Sequence, residues 1–196
     1  MPIEQSAERD AALRAALPHV ERLGWGRPAL RAGLAEAGLD PDSEAWLFPG
    51  GAIDAIEVWL DLADREMTAA AAAETIAALR TPARIRRLIL LRLEQAAPHR
   101  EAVGRALARL ACHPGVALRA TARTSDAMWN AAGDASADFS WYTRRASLAA
   151  VYGATLAFWL RRADPDLSAT AAFLDRRLAD LARMSRRRKQ DTLLTA

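Results

Sequence analysis

Residues 144–162 read Arg-Arg-Ala-Ser-Leu-Ala-Ala-Val-Tyr-Gly-Ala-Thr-Leu-Ala-Phe-Trp-Leu-Arg-Arg. The 15 residues from Ala146 to Leu160 carry no charge, and an arginine pair closes each end. A membrane-spanning helix needs roughly 20 apolar residues. The run is therefore read as a helix buried in a protein core. Trp141, Arg145, Leu148, Tyr152 and Trp159 fall near one stripe at helical spacing. Composition points the same way along the whole chain. There are 47 Ala and 26 Leu against 5 Val and 6 Ile, a balance that favours helix over strand. The chain is expected to be all-α.

Working outward, Pro and Gly punctuate further helices. The first spans about 6–22 with Ser6 as N-cap, and Gly24 and Gly26 end that segment. A second covers about 28–37. A short third begins at Pro41 and stops at Pro49-Gly50-Gly51. A fourth runs from about 52 into the 60s, with the tract Ala69–Ala73 continuing it or lying near a kink. Thr81-Pro82 opens a fifth as cap and first residue. Pro98 opens the next, which His113-Pro114-Gly115 closes. One more covers about 116–132. After the polar break 133–138 a long helix covers about 139–162, and a last one about 168–184. The sum is a bundle of roughly nine helices. Residues 1–184 are expected to form one domain, followed by a basic tail at 185–196.

Composition also closes off chemistry. The chain holds 26 Arg and one Lys, Lys189. A P-loop, a Schiff base or a Ser-Lys dyad would need a lysine within the body of the domain. A single cysteine, Cys112, forms neither an intrachain disulfide nor a CxxC zinc site. His19, His99 and His113 lack HExxH or ExxH spacing. No catalytic residue, metal ligand or cofactor is assigned. The N-terminal residues are acidic and lack the apolar core of a signal peptide, so a reducing, cytoplasmic compartment is expected.

Net charge is +3, unevenly spread. Residues 1–79 carry −8, residues 80–138 carry +5, and residues 139–196 carry +6. Three helices followed by Trp46-Leu47-Phe48-Pro49-Gly50-Gly51 resemble the front of a TetR-type regulator, with its helix-turn-helix and linking helix. A DNA reader must put positive charge in the major groove. Here the short helix offers Asp40, Asp42 and Glu44. The helix-turn-helix is read as degenerate, with no nucleic-acid partner; a DNA-binding TetR-type regulator is the alternative.

Three further clusters stand out. Asp54, Glu57, Asp61 and Asp64 share one face of the fourth helix, read as solvated and partly paired by Asp61 with Arg65. The run Met128-Trp129, then Asp138-Phe139-Ser140-Trp141-Tyr142-Thr143-Arg144-Arg145, sets aromatics beside arginines. Spacing allows two readings: Trp141 in the core with solvated arginines, or a surface patch, because Trp, Tyr and Arg anchor interfaces. Arg183, Arg186, Arg187, Arg188 and Lys189 make the tail basic. Such a tail is either solvated or drawn to an anionic membrane surface.

Residues 138–152, the preceding Met128-Trp129 and Gly-Asp-Ala-Ser, Phe173-Leu174-Asp175-Arg176-Arg177, and Leu47-Phe48-Pro49-Gly50-Gly51 resemble the coenzyme Q biosynthesis accessory family numbered nine. The resemblance spans about 10–184. It implies a TetR-like fold used without DNA, a homodimer, and an apolar pocket for a lipid such as an isoprenoid quinone or a phospholipid. It also implies a non-catalytic role, presenting that lipid to the membrane-associated demethoxyubiquinone hydroxylase. The implied contact patch is Met128, Asp138, Trp141 and Tyr142, with Arg145 as a neighbour. The family's eukaryotic members carry a further amphipathic membrane helix, where this chain has only its basic tail. The absent transit peptide fits a bacterial member, peripheral on the inner face of the cytoplasmic membrane.

Overall fold

The structure, a computed structural model, describes the backbone of residues 3, 5–74, 76–133, 140–162 and 167–194. It describes the side chains of all of these except 140–142 and 185–194. Nine α-helices occur among the described residues: α1 (Ala7–Leu23), α2 (Arg27–Glu36), α3 (Glu44–Leu47), α4 (Gly51–Ala73), α5 (Thr81–Ala96), α6 (Arg100–Ala111), α7 (Pro114–Ala131), α8 (Ser140–Arg161) and α9 (Ser168–Leu194). No strand is found among those residues.

Helix α4 is the axis of the molecule. It touches α1, α5, α6 and α7, while α8 packs on α7 and α9, and α9 on α5. A single apolar cluster runs from Ala12 in α1 to Leu174 in α9. The stripe read along α8 faces this core: Arg145, Leu148, Tyr152 and Trp159 are all buried, with Thr155 filling the remaining turn. Helices α1 and α2 approach so closely that a Cβ on Gly33 would lie 2.6 Å from the Ala12 carbonyl oxygen and from the Ala16 Cβ. Only glycine fits there.

Three boundaries differ from expectation, and a fourth takes one of its two expected courses. The third helix divides into a 3-10 turn, Pro41–Ser43, and the four-residue α3. The alanine tract 69–73 extends α4 without a break, as alanine's propensity allows. Thr81 is the first residue of α5, and Arg80 takes the N-cap place. Helix α9 continues to Leu194, past residue 184 where the tail was expected to begin. Arg, Lys, Gln and Leu all sustain helix, and neither Pro nor Gly interrupts 168–194.

Arginines hold the helix ends. Arg84 donates to three carbonyls: Leu79 at 2.7 Å, Ala132 at 2.9 Å, and Ala77. Arg100 donates to the carbonyls of Trp159 and Arg162 at the end of α8. Two more arginines brace other main-chain segments: Arg109 reaches the Trp25 carbonyl between α1 and α2 at 3.0 Å, and Arg123 reaches that of Glu57 within α4 at 3.1 Å. Terminal carbonyls lack partners within their own helix. A guanidinium satisfies several with one fork, which the compact ammonium of lysine does not match.

Candidate functional site

A cavity of about 310 Å³ opens where α5, α7, α8 and α9 meet. Its walls are Ile85 from α5, Trp129 from α7, Leu148 from α8, and Leu178 and Leu181 from α9. Thr81, Pro82, Thr143, Arg144, Ser147 and Ala182 complete the lining. The amphipathic periods of four helices thus leave apolar faces turned to one space that no side chain of the described residues fills. A second hollow of about 270 Å³ lies along α8 and α9, lined among others by Ala150, Val151, Ala154 and Met184. Ser147 and Leu181 belong to both. The result is an apolar trough along the α8–α9 seam. Arg144 lies 5.9 Å from the centroid of the Trp129 ring, a cation–π arrangement.

The residues singled out for partner contact divide. Met128 is 0% exposed and sits in the core, so its side chain forms no surface in this conformation. Arg145 is also buried. Its Nε donates to Asp126 at 2.7 Å and its Nη2 to Asn130 at 3.4 Å, while Asn130 donates to Asp126 at 3.1 Å. Arg145 therefore ties the first turns of α8 to α7. Asp138 and the side chains of Trp141 and Tyr142 lie outside the described residues. Of the tail residues, Arg183 is exposed and paired with Asp180. Arg186, Arg187, Arg188 and Lys189 lie on the helical backbone of α9, and their side chains are outside the description.

The acid row on α4 is not the solvated face that was expected. Because α4 is central, α1 and α7 cover that face. Asp54 pairs with Arg9 at 2.9 Å, Glu57 with Arg119 at 3.6 Å, and Asp61 with Arg65 at 3.1 Å and Arg123 at 3.7 Å. Asp64 is buried and meets the equally buried Arg92 at 3.3 Å. Thr124 Oγ1 donates to the Asp64 carboxylate, with separations of 2.9 and 3.1 Å to its oxygens. Burial pushes the Asp64 carboxyl above its ordinary range, against the opposing pull of Arg92, Thr124 and Arg123. The adjacent Tyr152 phenol is likewise raised by burial.

At the front, Glu44 is buried and paired with Arg27 at 2.8 Å, and Arg31 pairs with Asp42 at 2.7 Å. These arginines meet carboxylates of their own chain. Among the described residues, no group of three or more His, Cys, Asp or Glu side chains could hold a metal ion. No helix there is long and apolar enough to cross a membrane.

The cavity could not be listed from sequence, since its walls come from helices up to 100 residues apart. Trp129 is the sequence neighbour of Met128. The signal that α7 turns Met128 inward while Trp129 reaches the cavity lies in tertiary packing alone.

Comparison with known proteins gives a consistent result. The profile of the COQ9 family matches residues 115–185. The human ubiquinone biosynthesis protein COQ9, mitochondrial, is 31% identical over 187 residues, covering 91% of this chain and 58% of its own length. The COQ9 protein of Schizosaccharomyces pombe is 31% identical over 176 residues, covering 88% of this chain and 69% of its own. The chain thus spans little more than half of the human relative. Among solved structures, a TetR transcriptional regulator from Nitrosomonas europaea superposes with a TM-score of 0.71 over 90% of this chain and 99% of that one, at 23% identity. That likeness shows a TetR-like fold.

Proposed function

The chain belongs to the COQ9 family of ubiquinone biosynthesis proteins, and on that premise we propose that it is a lipid-binding accessory protein of that synthesis and not itself a catalyst. The observation that carries this reading is the apolar cavity between α5, α7, α8 and α9, with its trough along the α8–α9 seam. Its volume falls at the lower end of small-molecule sites, roughly 300–1,000 Å³. An isoprenoid quinone or a phospholipid acyl chain suits walls made of Ile, Leu and Trp. The trough provides a path for a tail longer than the cavity.

The bound lipid is handed to a membrane-associated hydroxylase acting on demethoxyubiquinone. The contact surface is the start of α8, with Asp138, Trp141 and Tyr142. Met128 and Arg145 contribute from the interior: Met128 is buried in α7, and Arg145 fixes α8 against Asp126 and Asn130. The exposed small residues Ala146, Ala150 and Gly153 on α8 suit close approach of a second copy, so the working form is a homodimer. The basic end of α9, from Arg183 through Lys189, meets the anionic surface of the membrane from which the lipid is drawn.

The front of the molecule supports the same reading against a DNA-binding one. Arg9, Arg27, Arg31 and Arg65 are each engaged by a carboxylate of this chain. The deciding experiment is mass spectrometry of lipids extracted from the purified protein. Co-purified isoprenoid or phospholipid supports the reading. Protein that is repeatedly lipid-free and takes up no quinone analogue overturns it, and a salt-sensitive, sequence-selective gel shift would favour the regulator.

A further inference from the structure

A hollow of about 510 Å³ opens where the end of α1 meets the C-terminal half of α6. It shares no lining residue with the apolar cavity or the α8–α9 trough. Its wall holds Arg105, Arg109 and His113. Spaced four residues apart, they follow one face of α6 to just past its end. Leu23, Ala108 and Cys112 belong to the same wall, and no Asp or Glu among the described residues does. Both guanidiniums are held in place. Glu101, one turn back on α6 and outside the lining, lies 3.0 Å from Arg105 Nε. Arg105 Nη1 lies over the α1–α2 turn, 3.7 Å from where a Cβ on Gly24 would stand. Arg109 Nη2 donates to the Trp25 carbonyl at 3.0 Å. His113 Nδ1–H donates to the Arg109 carbonyl at 3.0 Å, which fixes its ring. A guanidinium carries five N–H donors, so these ties spend only part of each fork.

Two fixed cations in a wall without a carboxylate suit an anion. One guanidinium fork already satisfies a carboxylate. A phosphate monoester carries close to two negative charges and three terminal oxygens, so two guanidiniums one helical turn apart can grip it together. The hollow lies within the size range of small-molecule sites, and a phosphate alone would leave most of it empty. Leu23, 47% exposed, and Ala108 give the wall an apolar part. The ligand therefore carries a body beyond its phosphate. We propose that this hollow binds a phosphomonoester, with Arg105 and Arg109 on the phosphate and Leu23 and Ala108 against the group that bears it. This stands apart from the lipid-binding reading above. Two sources share the chemistry: the headgroup of a phosphatidate lipid and a soluble phosphorylated metabolite.

The test uses the full chain at constant ionic strength and reads alkylation of Cys112 by iodoacetamide. Cys112 is the one cysteine of the chain, is exposed and lines the hollow. Three probes are titrated: glycerol 3-phosphate, dihexanoyl phosphatidic acid below its micelle concentration, and dihexanoylglycerol, which lacks the phosphate. The two phosphates should slow alkylation and saturate, and dihexanoylglycerol should not slow it. Protection by phosphatidic acid alone assigns the lipid headgroup. Protection by glycerol 3-phosphate as well assigns the phosphate ester without a need for acyl chains. No protection by either phosphate, or equal protection by dihexanoylglycerol, overturns the proposal.

Variants then assign the residues. Arg105→Gln and Arg109→Gln should each raise the dissociation constant read from that titration by roughly ten- to a hundredfold, the value of hydrogen bonds to a charged group. Arg14→Gln removes a guanidinium from the exposed face of α1, away from the hollow, and should leave the constant unchanged. Unchanged protection in both hollow variants, or an equal loss in Arg14→Gln, overturns the proposal. Arg109 also braces the α1–α2 turn, so the thermal midpoint of each variant is measured beside it. Protection of Cys112 in the wild-type chain depends on no variant's folding.

Discussion

Replacing Asp64 by alanine should be among the costliest single changes in this protein. Asp64 and Arg92 are each 4% exposed and lie at the centre of the bundle. With the carboxylate gone, Arg92 keeps one main-chain acceptor, the Leu60 carbonyl at 3.5 Å, and Thr124 loses its acceptor. Water cannot replace them without opening the core. Removing one partner of a buried pair costs about 3–5 kcal/mol. In a domain of this size each kcal/mol lowers the thermal midpoint by about 2–4 °C, so the midpoint should fall by roughly 6–20 °C. The double change Asp64→Leu with Arg92→Met removes both desolvation costs together. It should return to within about 1–2 kcal/mol of the parent, since a buried pair and a packed apolar pair of similar volume are nearly equivalent. Urea unfolding followed by circular dichroism measures all three. A single variant losing less than about 1 kcal/mol would refute the burial reasoning. A double variant as unstable as the single one would show that the pair is not the source of the cost.

Other outcomes follow from the same structure. Gly33→Ala should destabilise by about 1–3 kcal/mol, because its methyl would meet the α1 backbone at 2.6 Å; an unchanged urea midpoint would contradict the close approach. Arg84→Lys should cost about 1–2 kcal/mol despite keeping the charge, because an ammonium cannot serve three carbonyls in one plane; hydrogen exchange at the end of α7 should rise with it. Burial raises the Tyr152 phenol above its ordinary value of about 10 in the folded state. Its contribution is therefore complete below pH 10 and is lost as pH rises through the higher folded value. Tyr152→Phe should lose less stability than the parent between pH 10 and 11, and parallel curves would count against the assignment. Trp141→Ala should weaken capture of the hydroxylase with little change in thermal midpoint, whereas unfolding would return Trp141 to the core.

Sequence reading located most helices because Pro and Gly mark their ends, as at Pro114 and Gly24. It placed Leu148, Tyr152 and Trp159 on one buried stripe, since helical spacing is a local property. What it missed depends on distant neighbours. Four carboxylates on one face of α4 look alike in sequence. Only the arrival of Arg92 and Thr124, 28 and 60 residues away, separates the buried Asp64 from its partly exposed companions. The functional site shows the same division. The family resemblance supplied the expectation of a lipid, while the walls of the cavity appear only when α5, α7, α8 and α9 are assembled.

Because guanidinium groups latch the helix ends, the chain does this work almost without amines. Lys189 is its one side-chain amine, near the end of α9. Apart from the α-amino group of the chain, acylating agents and amine-directed cross-linkers will therefore report on that end of the molecule and overlook the remaining surface. Dicarbonyl reagents that condense with arginine should act differently. By modifying Arg84 they would release the end of α7, and by modifying Arg100 the end of α8, so labelling and loss of helix should advance in step.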